Sequence, residues 1–142
     1  MLRCKIKQNQ FVKIYKEKLL KYYLVMLKKK YRLKNKRAFA ATYKTGIVHH
    51  KGGITVFCGK NKTYGDTKIG FVVSKKIHKR AVRRNRIKRL MRESVRLYKK
   101  KQAGAFDTKY MSLVFVASLK LLDKNFKYID KNIVEILEKI SI

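Results

Sequence analysis

The apolar positions fall into stretches of helical and alternating spacing that divide most of the chain into short elements. The stretch KRAFAATYK (36–44) has helical character, with Asn35 placed to cap its start and Gly46 its end. Phe39 and Tyr43 lie four apart and share a face of it. A strand is predicted at Ile47 to His50, a turn at Lys51-Gly52-Gly53, and a second strand from Ile54 to Gly59. In that strand Ile54, Val56 and Cys58 face one way, and Thr55 and Phe57 the other. GKNKTYGD is turn chemistry. TKIGFVVS (67–74) is a third strand, apolar on both faces toward its end, which predicts a central place in a sheet. The segment SKKIHKRAVRRNRIKRLMRES (74–94) then carries a long helix. At about 100° per residue, Ile87, Leu90, Met91, Ser94, Val95, Leu97 and Tyr98 gather on one side, and Asn85, Lys88, Arg89, Arg92 and Arg96 on the other. KYMSLVFVA (109–117) follows as a buried strand. Asp123 or Asn125 caps a last helix whose core stripe is Phe126, Ile129, Ile133, Ile136, Leu137 and Ile140.

The order helix, strand, strand, strand, helix, strand, helix predicts a single α+β domain: one mixed sheet of about four strands packed with helices. The third strand, basic helix and fourth strand can form a parallel crossover unit. The domain is expected over residues 28–142, behind an N-terminal extension of residues 1–27. Within that extension LLKYYLVML (19–27) is too short for a membrane span and runs into KKK without a small-residue cleavage site. Phe11, Ile14, Tyr15, Leu19, Tyr22 and Tyr23 can share one helical stripe, yet an AT-rich upstream reading frame would yield the same residue types. Met26 opens a complete-looking start, MLKKKYRLKNKRAF, so residues 1–25 are expected to be dispensable.

Charge changes the picture most. The chain of 142 residues holds 39 Lys and Arg against 8 Asp and Glu, a formal net charge of +31. Such self-repulsion destabilises a compact state unless a polyanion offsets it, and nucleic acid is the first expectation. The hydrophobic fraction of 46% is enough for a real core, which argues against disorder. Cys4 and Cys58 are too few for a disulfide scaffold and point to a reducing, cytoplasmic setting. With His49, His50 and His78 they make no metal-binding spacing. No nucleophile motif, phosphate-cradling glycine loop or carboxylate pair is present, so no catalytic residues are expected.

The segment RRNRIKRLMRE (83–93), with Ala81 before it and VSKK (73–76) on the preceding strand, resembles the Arg-Asn-Arg signature of the bacterial ribonuclease P protein subunit. YRLKNKRAFAATYKTG (31–46) is similar to that family's N-terminal helix, with Phe39 and Tyr43 at its aromatic positions. ITVFC (54–58) resembles the following strand, with Phe57 where an aromatic is usual. The likeness covers residues 28 to 140. It implies a small αβ protein with an unusual left-handed crossover, where the general rule gives right-handed connections in about 98% of cases. It also implies that the protein binds the catalytic RNA of ribonuclease P. That RNA, with Mg2+, removes the 5′ leader of precursor tRNA, and the protein itself holds no cofactor by motif. Phe39, Tyr43 and Phe57 would line a cleft in which leader bases stack, and Thr55 joins them because it shares the face of Phe57. His78 departs from the pattern, since many relatives have a small residue there, so a differently shaped loop is expected before the helix.

The chemistry of the residues agrees with this expectation. Lys75, Lys76, Arg80, Arg84, Asn85, Arg86, Lys88, Arg89 and Arg92 form the expected RNA-binding set. Their cations neutralise phosphates and release counterions, Arg84 and Arg86 can fork onto phosphate oxygens, and Asn85 can both donate and accept. A ribosomal or other structural RNA binder is the alternative that charge and periodicity leave open. A helix-turn-helix regulator fits poorly, because the basic helix is flanked by strands. A stand-alone ribonuclease lacks an acid/base pair.

Overall fold

A computed structural model describes residues 27–61, 65–102 and 109–141. Residues 1–26, including Cys4 and the stripe expected there, lie outside the described residues.

Asn35 starts helix α1 (Lys36–Thr45), its side-chain oxygen accepting the Arg37 N–H at 2.9 Å. A Cβ at Gly46 would collide with the carbonyl oxygens of Thr42 and Cys58, so only glycine lets the chain turn this tightly into the sheet. Strands β1 (Ile47–Lys51) and β2 (Ile54–Cys58) form an antiparallel hairpin with Lys51 opposite Ile54. Its two turn residues, Gly52 and Gly53, have φ of 58° and 87°, the left-handed pair that matches a tight hairpin's twist. Strand β3 (Lys68–Val72) leads through a loop into helix α2 (Ala81–Lys101), strand β4 (Ser112–Ala117) and helix α3 (Phe126–Ser141). Asn125, rather than Asp123, supports the start of α3, accepting the Tyr128 N–H at 3.0 Å.

The sheet order is β1-β2-β4-β3. β2 is antiparallel to both β1 and β4, while β3 and β4 are parallel, so α2 is the crossover between them. The third strand is therefore at an edge and not central, contrary to the reading of its apolar run. Its burial has other causes. The backbone at Arg32 and Leu33 runs along its outer side, with Leu33 N–H donating to Ile69 O at 2.8 Å. Helices cover both of its faces around Ile69 and Gly70. The central strands are β2 and β4, and β4 is the more buried.

One face of the sheet, bearing Ile54, Val56, Cys58, Ile69, Leu113, Phe115 and Ala117, packs on α2 and α3 to make the core. From α2 come Ile87, Met91, Val95 and Tyr98, with Leu90 and Leu97 only half-buried at the stripe's margin. From α3 come Ile129, Ile133, Ile136, Leu137 and Ile140, with Phe126 half-buried. Ser94 Oγ ties the two helices by donating to Asp130 Oδ1 at 2.7 Å. Leu27, the first of the described residues, is 3% exposed and joins the core. Among the described residues, the opposite face, with Thr55, Phe57, Gly70, Val114 and Val116, is covered by α1 at one end only. Thr42 and Ser112 fasten α1 there through a 2.7 Å hydroxyl contact.

Candidate RNA interface

Two surfaces gather the expected site residues, one on each side of the sheet. On the α2 side the loop after β3 is tied by its own polar groups. Ser74 Oγ accepts the Lys76 N–H at 3.2 Å, and His78 Nδ1 accepts the Arg80 N–H at 3.1 Å. Arg84 reaches back from the first turns of α2, and its Nη1 donates to His78 O at 2.8 Å and Lys79 O at 2.6 Å. The local reason is angular. Arg84 precedes Met91 by seven residues and so lies above the buried stripe, where the helix outruns the core. Lys75, Lys76 and Arg80 are left exposed on this loop and helix start, as are Asn85, Arg86 and Arg89 along the helix, while Lys88 is half-buried.

Arg92 sits deeper, its guanidinium 5.9 Å from the centre of the Phe71 ring. Burial lowers its pKa, and Arg32 and Arg89 lower it further by repulsion. No carboxylate of the described residues pairs with any of these three arginines. Arg96 differs, because Glu93 neutralises it through two bonds of 2.9 and 2.6 Å. Arg32 is a member of this group that the sequence did not single out. Its signal in the sequence is the basic company it keeps in KKKYRLKNKR (28–37), and the chain's path beside β3 is what brings it to α2.

On the other side, α1 lays its aromatic flank on the open face. The Tyr43 and Phe57 rings meet edge to face, 4.9 Å between centres and 81° between planes. Tyr43 remains 40% exposed, and burial raises the pKa of its phenol. Phe39 lies one helical turn earlier on α1, over Gly70. A Cβ at Gly70 would come within 2.5 and 2.6 Å of the Phe39 ring. Gly70→Ala is therefore expected to cost about 1–3 kcal/mol by overpacking, read as a lowered Tm. Thr55 shares the face of Phe57, with its Oγ1 2.8 Å from His50 Nδ1.

This constellation offers cations, rings and amide groups. Cys58 is buried, and desolvation pushes its thiol up to about 11, so it is no nucleophile at neutral pH. Among the described residues no three His, Cys, Asp or Glu side chains come together, and no helix is long and apolar enough to cross a membrane.

The sequence profile of the family Ribonuclease P matches residues 27–141. The chain belongs to the ribonuclease P protein family. It is 40% identical over 110 residues to the ribonuclease P protein component of a Nitratiruptor species, covering 77% of this chain and 91% of that protein. It is 33% identical over 114 residues to that of Clostridium novyi, covering 80% and 96%. Among solved structures, the Staphylococcus aureus RNase P protein superposes with a TM-score of 0.62 at 25% identity, covering 79% of this chain and 98% of that one. The Thermotoga maritima protein gives 0.61 at 26%, covering 77% and 96%. Members of this family are protein components of ribonuclease P, a ribonucleoprotein endoribonuclease of tRNA processing, and an RNA partner follows from that membership.

Proposed function

We propose that this chain binds the catalytic RNA of ribonuclease P through the loop before α2 and the outer face of that helix, and holds the 5′ leader of precursor tRNA against the aromatic face under α1. Cleavage then falls to the RNA with its Mg2+, and the protein contributes affinity and placement. The observation that carries this reading is the separation of two chemistries by one sheet. Guanidinium groups without carboxylate partners among the described residues crowd the α2 side, where phosphates would relieve their repulsion. Rings that are half-exposed gather on the opposite face, where unstacked bases find platforms. RNA folded into a fixed shape is recognised by backbone contacts of the first kind, and a single strand by stacking of the second.

The test is the magnesium requirement of leader cleavage by the matching RNA, with and without the protein. The protein is expected to lower the Mg2+ concentration at half-maximal rate. An unchanged requirement, with tight RNA binding retained, would instead favour a structural RNA binder without a part in cleavage.

A further inference from the structure

We propose that His50 is itself a leader contact, donating from Nε2 to a phosphate oxygen of the leader backbone, and that Thr55 is a positioning residue acting through it. The inference rests on the reading that the open sheet face takes the leader.

Register places the two residues together. His50 on β1 lies directly across from Thr55 on β2, and Val48 directly across from Phe57, so all four side chains share the open face. Helix α1 covers the Phe57 end of this face, and the row formed by His50 and Thr55 lies beyond it. His50 is exposed, as is Val48 at 51%. The imidazole is not loose, because its Nδ1 is held 2.8 Å from Thr55 Oγ1. That bond occupies the nitrogen facing the sheet and turns Nε2, across the ring, away from Thr55. Either atom can donate in this bond, and a phosphate beside Nε2 selects the arrangement in which the threonine hydroxyl donates to Nδ1 and the ring proton sits on Nε2, facing the anion. The hydroxyl is occupied by the same bond, which makes it a support for the ring instead of a second contact. A single strand stacked on Phe57 and continuing along the face away from α1 meets this nitrogen next. The row is two residues from Phe57 along β2, a step of about 7 Å, close to the spacing of neighbouring strand positions that one nucleotide can span.

The measurement is the affinity of the holoenzyme for precursor tRNA and for mature tRNA, with Phe57→Ala run in parallel. His50→Ala is expected to weaken binding to precursor tRNA by about tenfold, the order of one hydrogen bond to a charged group, and to leave mature tRNA unaffected. Thr55→Val is expected to weaken the same binding, Thr55→Ser to restore it, and Thr55→Val to add nothing in the His50→Ala background. If Phe57→Ala loses leader-dependent affinity and His50→Ala does not, the assignment of His50 is overturned and the cleft stands. If neither variant distinguishes the two ligands, the cleft reading itself fails. Additive losses for His50 and Thr55 would overturn the positioning role and make Thr55 a contact in its own right.

Discussion

Replacing Phe57 by alanine is expected to weaken holoenzyme binding to precursor tRNA by about 5- to 150-fold, the range that follows from roughly 1–3 kcal/mol of stacking per base. Phe39→Ala is expected to act in the same direction. Mature tRNA, which has no leader, should bind either variant as well as it binds the unmodified protein. The comparison matters because both rings are half-buried and one could be serving only as packing. Phe57 leans on Tyr43 edge to face, and Phe39 lies over Gly70, so either truncation also removes some folding free energy. A loss of stability lowers the folded fraction and weakens both ligands alike. A loss confined to the ligand with a leader reports stacking. Equal losses for the two RNAs would show that the rings are core residues of the α1–sheet contact.

What the sequence revealed and concealed has a physical pattern. Helices α1, α2 and α3 and the β1-β2 hairpin were legible because each announces itself locally. Asn35 and Gly46 bracket α1, Gly52-Gly53 makes the turn, and the stripes of α2 and α3 repeat at helical spacing. The place of β3 was not legible. IGFVV is apolar on both faces in an edge strand as it would be in a central one, because Leu33, Phe39 and α2 cover it in place of a further strand. Burial of a strand records what lies near it and not which element supplies the cover.

The site shows the same limit. The aromatic positions Phe39, Tyr43 and Phe57 could be named from the family likeness, and the fold brings them to one face. The bond from Thr55 to His50 needed the register between β1 and β2, which no periodicity within one strand contains. Arg32 needed the path of the chain along β3. Arg84 is the instructive case on α2. It stands among basic residues in sequence, but its helical angle matches that of Met91, and its guanidinium turns back to the loop.

That geometry gives the arginines of α2 different expected signatures. Arg86 and Arg89 are exposed on the helix, so the double replacement by alanine should weaken binding to the catalytic RNA and flatten its salt dependence. Each lost phosphate contact lowers the log-log slope by about 0.7 to 0.9, so the pair is expected to remove about 1.4 to 1.8. Helical content should be retained, because the Ile87, Met91 and Val95 stripe is untouched. Adding Arg84→Ala is expected to weaken binding further with little additional change in slope. Its Nη1 is occupied by the carbonyls of His78 and Lys79, and losing it frees the loop that carries Lys75 and Lys76. Affinity measured across a salt series separates the two effects, since a loosened loop shifts the line and a missing ion contact tilts it. An unchanged slope for the Arg86/Arg89 pair would remove the outer face of α2 from the RNA interface. A full third increment on adding Arg84→Ala would return that residue to direct phosphate contact.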